Sequence, residues 1–141
     1  MKKRNVLLLA ACVLLCLSGK AFSQAKVHHV VFAVTSGDET DWKMTLANIR
    51  NLMAGLKPDT TEVEVIAYAQ GLNLVKKDSS MAAEIAPLQE QHVRFVACQN
   101  SMRLMHVEAK DLLAGSEPVP SGIVELVKKQ EAGWAYVKGG R

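Results

Sequence analysis

Three observations predict an α/β domain with a mostly parallel five-stranded sheet covered by helices on both faces. The segment Val30–Val34 is wholly apolar, as a strand buried on both sides of a parallel sheet must be. Between Asp41 and Leu56, the residues Trp42, Leu46, Ile49, Met53 and Leu56 recur at alternating spacings of four and three, which is one stripe of a helix. Strand-like and helix-like segments then alternate to the end of the chain, the order that right-handed βαβ units produce.

The first strand spans 27–34, with a mixed beginning at Val27, His28 and His29, and Thr35-Ser36-Gly37-Asp38 breaks it. Gly55 and Pro58 end the first helix. Glu62–Tyr68 alternates polar and apolar residues as a second strand, closed by Ala69-Gln70-Gly71. A helix over about Ser80–Gln91 carries Met81, Ile85 and Leu88 on one side, and Pro87 is expected to kink or split it. Val93–Cys98 is the third strand, after which Asn100 is the expected N-cap of a short helix reaching about His106. Gly115–Pro120 is a turn and a short proline-flanked strand, confined to a place where ladder donors are dispensable. Ser121 caps a last helix with Ile123, Leu126 and Val127, which stops near Gly133, and Trp134–Lys138 is the final strand.

The amino terminus has the pattern of a secretory leader. Lys2, Lys3 and Arg4 precede an apolar run from Val6 to Leu17, too short to span a bilayer, and Ala21-Phe22-Ser23 offers small residues for cleavage after Ser23. A competing reading makes Leu9-Ala10-Ala11-Cys12 a lipobox, but it leaves Val13–Leu17 without a purpose. Residues 1–23 are therefore read as a signal peptide and 24–141 as the mature domain, periplasmic or secreted, with no membrane association after cleavage. Cleavage leaves 118 of the 141 residues, enough for one core. It also removes four of the 17 basic residues, so that 13 face 14 acidic ones. That near-neutral balance, with no basic run interleaved with aromatics, argues against a nucleic-acid partner. Cys12 and Cys16 leave with the leader, so Cys98 is the one thiol of the mature chain and has no intrachain partner.

Several of these runs resemble the DsrE/DsrF-like family: Val30–Val34, Trp42–Leu52, Val65–Val75, Val93–Met102 and Pro120–Leu126. The similarity spans essentially the whole mature chain and is closest to the exported, single-domain branch. It implies a flavodoxin-like three-layer fold, and a sulfur-relay role in which a cysteine at the end of the third strand carries sulfur as a persulfide. Cys98 stands at that place. The resemblance also implies a homo-oligomer, trimer or hexamer, and partners that donate and accept sulfur through protein thiols. A leader peptide and the absence of a second nearby cysteine set this chain apart from cytoplasmic sulfur-relay members.

A cysteine between a strand's carboxyl end and a helix's amino end lies where open α/β sheets bind ligands. Helix-start N–H groups there favour the thiolate, the form that attacks sulfur, and Arg103 is a candidate source of further positive charge. Gln70, Gly71, Asn73 and Asn100 are candidates for a small polar pocket beside Cys98, with Gly71 expected to supply a positive φ. Each has an ordinary reading as well, as a solvated loop residue or a turn glycine. Cys98 itself follows Phe95-Val96-Ala97, an apolar strand in which a free cysteine also serves as a small hydrophobe. The second function reading is accordingly a non-catalytic periplasmic binding or assembly module with a structural cysteine. No cofactor is implied. His28, His29, His92 and His106 lack metal-ligand spacing, so no metal site is expected, and no Ser-His-Asp or paired-carboxylate arrangement supports hydrolysis.

Overall fold

The structure, a computed structural model, describes residues 25–141; the segment expected to be a signal peptide, with Cys12 and Cys16, lies outside them. The first strand, β1 (Val27–Val34), is followed by helix α1 (Glu39–Gly55) and strand β2 (Thr60–Ala67). A 3-10 helix over Ala69–Val75 leads to α2 (Ala82–Glu90) and β3 (Arg94–Cys98). Then come α3 (Gln99–Leu104), a 3-10 turn at Ala109–Asp111, β4 (Ser116–Val119), α4 (Gly122–Glu131) and β5 (Ala135–Lys138).

The sheet is parallel throughout, in the order β4-β3-β2-β1-β5, giving a flavodoxin-like three-layer domain. Steps from β1 to β4 all run one way across the sheet, so right-handed crossovers place α1, α2 and α3 on the same face. The step from β4 back to β5 runs the other way and puts α4 alone on the opposite face. Packing follows this division. Phe32, Val65 and Phe95 point toward Trp42, Leu46, Ile49, Ile85, Leu88 and Met102 in the large core, whereas Val31, Ile66 and Val96 form a small cluster with Leu126, Tyr68 and Trp134. Phe32, Phe95, Leu46 and Ile49 are fully buried, each contributing about 1.5–3 kcal/mol of transfer free energy.

Local chemistry explains the boundaries. Asp38 caps α1 by accepting the Thr40 N–H at 2.7 Å, which starts the helix two residues earlier than its apolar stripe predicts. Pro87 lies inside α2 without dividing it, and the helix begins only at Ala82. The segment expected merely to close the second strand is instead the 3-10 helix, and it buries Leu72, Leu74 and Val75 in the large core. β4 is an edge strand, which accommodates Pro118, a residue with no ladder donor. His28 and His29 project to opposite faces, and each meets a carboxylate, Asp59 at 3.2 Å and Glu62 at 3.0 Å.

Candidate functional site at the end of the third strand

Outgoing connections from β3 and β4 leave the sheet on opposite faces, through α3 and α4, so the crevice of the fold opens between these two strands. Cys98 ends β3 at this point and pairs in register with Val119 of β4. No loop separates strand from helix: Cys98 itself is the N-cap of α3, with φ −71° and ψ 116°. This corrects the expectation that Asn100 caps the helix. Asn100 lies in the first turn instead, because the helix starts as soon as the strand leaves the sheet.

The parity of β3 turns Cys98 toward the α4 face, alongside Val96. There it meets the amino end of α4. A Cβ on Gly122 would lie 3.2 Å from the Cys98 Cβ, 3.2 Å from the Tyr68 Cβ and 3.1 Å from Ile66 Cγ2, so glycine lets this helix sit close to the thiol without pressing on these neighbours. Ser121 starts α4 by accepting the Val124 N–H. The thiol is 5% exposed. Burial pushes its pKa up, but hydrogen bonds from the Gly122 and Ser101 backbone N–H groups, the Ser101 hydroxyl and the Asn100 N–H together outweigh burial, and the thiol ionises below its ordinary value.

Ser101 is placed for this role by a second bond. Its oxygen accepts the Ala69 N–H at 2.8 Å, which leaves the hydroxyl proton for the sulfur. Ala69 adopts φ 49°, a left-handed conformation that costs a non-glycine residue about 1–2 kcal/mol. Gly71 is not in that region, contrary to expectation. Glycine is needed at 71 for closeness, since a Cβ would lie 2.1 Å from the Val34 carbonyl oxygen. Tyr68, at the carboxyl end of β2, completes the surroundings; burial raises its hydroxyl pKa, as do Tyr136 and Cys98 nearby.

The remaining candidates are distributed around this centre. Gln70 packs against Gly37 at the start of α1, and Asn73 lies half-buried in the 3-10 helix, where its carbonyl accepts the Lys76 N–H. Arg103 directs its guanidinium to the Asn100 side-chain oxygen, so backbone and hydroxyl donors, and not this cation, set the ionisation of Cys98. Ser101, Gly122 and Tyr68 escaped sequence reasoning. The Ser121-Gly122 helix start is legible as a cap, but its meeting with Cys98 follows only from strand order. Among the described residues, no group of three His, Cys, Asp or Glu side chains is placed to hold a metal ion.

Comparison with known proteins agrees with this architecture. The profile of the DsrE/DsrF-like family matches residues 28–138. The structure of MTH1491 from Methanobacterium thermoautotrophicum, described as a protein of unknown function, superposes with a TM-score of 0.76 at 38% identity, covering 79% of this chain and 98% of that one. The ychN protein from E. coli superposes with a TM-score of 0.62, covering 82% of this chain and 99% of that one; at 13% identity the likeness is one of fold. No curated protein matches the chain. A family match over nearly all of the described domain, together with a close structural relative, establishes that the chain belongs to the DsrE/DsrF-like family.

Proposed function

We propose that this protein is an exported sulfur-relay protein that holds sulfane sulfur as a persulfide on Cys98. The observation that carries the proposal is the place of Cys98, which is the N-cap of α3 and packs against Gly122 at the start of α4, so that two helix amino ends meet at one thiol whose pKa is lowered. A cysteine serving only as core filler has no need of such a position. Export rests on the leader pattern of residues 1–23.

The chemistry is a thiol exchange in two balanced steps. The Cys98 thiolate attacks the outer sulfur of a donor persulfide; an Sγ–S bond forms, the donor S–S bond breaks, and the donor leaves as a thiolate. An acceptor thiolate then attacks the outer sulfur held on Cys98, which departs as the thiolate its hydrogen-bond donors stabilise. No net oxidation occurs. Donor and acceptor are protein thiols, and the protein works as a homo-oligomer, a trimer or hexamer.

The burial of Cys98 favours one competing reading, a periplasmic binding or assembly module in which the cysteine is structural. Treatment of the mature protein with polysulfide, followed by intact-mass measurement, separates the two. The relay predicts a mass gain of one sulfur atom, removable by a thiol reductant and absent in a folded Cys98→Ser variant. No gain in the wild type, or an equal gain in Cys98→Ser, overturns it.

A further inference from the structure

α4 is attached to the sheet in an unusual way for a helix covering a whole face. Among its residues only Gly122 is fully buried, and Leu126 is its apolar anchor in the small cluster with Val31, Ile66 and Val96. Ile123, Val124 and Val127 face away from that cluster and are half exposed. A further tie is ionic and lies at the other end of the helix from Cys98. Lys129 Nζ sits 2.8 Å from Glu64 Oε2 and 4.1 Å from the ring centroid of Trp134. Glu64 is fully buried in the middle of β2, and its Oε2 also accepts from Arg94 Nη1 at 2.7 Å.

The buried carboxylate is only half used. Its Oε1 has no hydrogen-bond partner among the described residues. A half-satisfied buried charge is a poor device for stability, because desolvation offsets much of what the ion pair returns. It is a good device for position, since it accepts a cation at one place and no other. A helix held by the Gly122 contact, one leucine and one ion pair opens locally at lower cost than the domain unfolds.

We infer that α4 is a gate over Cys98, latched to the sheet by the Lys129–Glu64 ion pair. Closed, its first residue covers the thiol and donates the Gly122 N–H to it; open, it uncovers the sulfur for a donor or acceptor thiol. This rests on the relay reading for its purpose, but the motion is measurable whether or not sulfur is ever carried. Lys129 is a positioning residue here. It acts on Cys98 through the helix.

The test is the rate of Cys98 alkylation by iodoacetamide in the folded mature protein, measured against reagent concentration. A gate predicts a rate set by the open population, well below that of the denatured protein at the same pH, and amide hydrogens of α4 that exchange well before those of β1–β3. Lys129→Met is expected to raise the alkylation rate about tenfold or more, as the open population absorbs the loss of the latch. Lys129→Arg, which keeps the cation, is expected to remain near the wild type. An alkylation rate equal to that of the denatured protein, or α4 amides protected as strongly as those of β2, overturns the gate. So does a Lys129→Met variant that loses melting temperature without any change in alkylation. A protein that is gated but takes no sulfur from polysulfide would sink the relay and leave the gate standing.

Discussion

The two faces of this sheet are built on different principles. Under α1, α2 and α3 the strands present Phe32, Val65 and Phe95 to a continuous apolar layer, and the helices there are held by burial. Under α4 the same strands present Val31, Ile66 and Val96, then a buried glutamate, then a cysteine. The first face supplies most of the transfer free energy, and the second spends little of its area on burial. Cys98 lies on the thinly packed face, and the proposed relay would need it there, since a thiol beneath the tighter layer would be reached only at a higher cost of opening.

The largest effect is expected from cutting into the thick face. Phe95→Ala removes a ring that is 1% exposed and should cost about 3–5 kcal/mol in a denaturant titration. The neighbouring Cys98 lies on the other face, so its alkylation in the surviving folded fraction should keep its pH profile. A loss below about 1 kcal/mol would mean that the face under α1–α3 is not the main core.

A smaller but more specific effect is expected on the thin face. Gly122→Ala places a methyl 3.1–3.2 Å from Ile66, Cys98 and Tyr68. Overpacking of this kind costs about 1–3 kcal/mol, and alanine's helix preference returns about 1 kcal/mol, so the net loss should be roughly 0–2 kcal/mol. The informative readout is the thiol. Lifting the Gly122 N–H from the sulfur should move the alkylation pH profile upward, and an unchanged profile would show that this donor does not set the ionisation of Cys98.

How much of this was legible in the sequence follows the same division. The α1 stripe and the apolar β1 run announce the thick face, because repeated burial leaves a periodic signal. Glu62-Val63-Glu64-Val65 reads as ordinary alternation with its acids in solvent, yet Glu64 is buried beneath α4. Alternation identifies the two faces of a strand but not what covers each. Cys98 at a strand end was visible, whereas the convergence of Ser101, Gly122 and Tyr68 upon it depends on three separate segments meeting through the strand order. Ala69 was read as part of a turn, and the left-handed residue was expected at Gly71. Glycine satisfies two different needs, a positive φ and a close approach, and sequence does not distinguish them.

The smallest effect distinguishes the ionic ties of the two faces. On the α1 side, Arg141 reaches back to Asp41 at 3.1 Å and Asp38 at 3.0 Å at the amino end of the helix, in contact with solvent. A hydrogen bond from Ser36, followed by those from Arg141, lowers the Asp41 pKa from 3.8 to about 2. A carboxylate depressed in the folded state contributes its stability fully above the unfolded value and loses it as the pH falls through the folded one. The stability difference between wild type and Asp41→Asn should therefore be constant above about pH 4 and shrink toward pH 2, as followed by circular dichroism during denaturant titrations. Ser36→Ala should shift this window upward, since the hydroxyl is the largest single cause, and removal of Arg141 should shift it in the same direction. Added salt should weaken the Arg141 part, because that pair is exposed, and leave the alkylation change of Lys129→Met nearly intact, because Glu64 is sealed from solvent. Equal salt sensitivity in both would mean that the α4 latch is a surface pair after all.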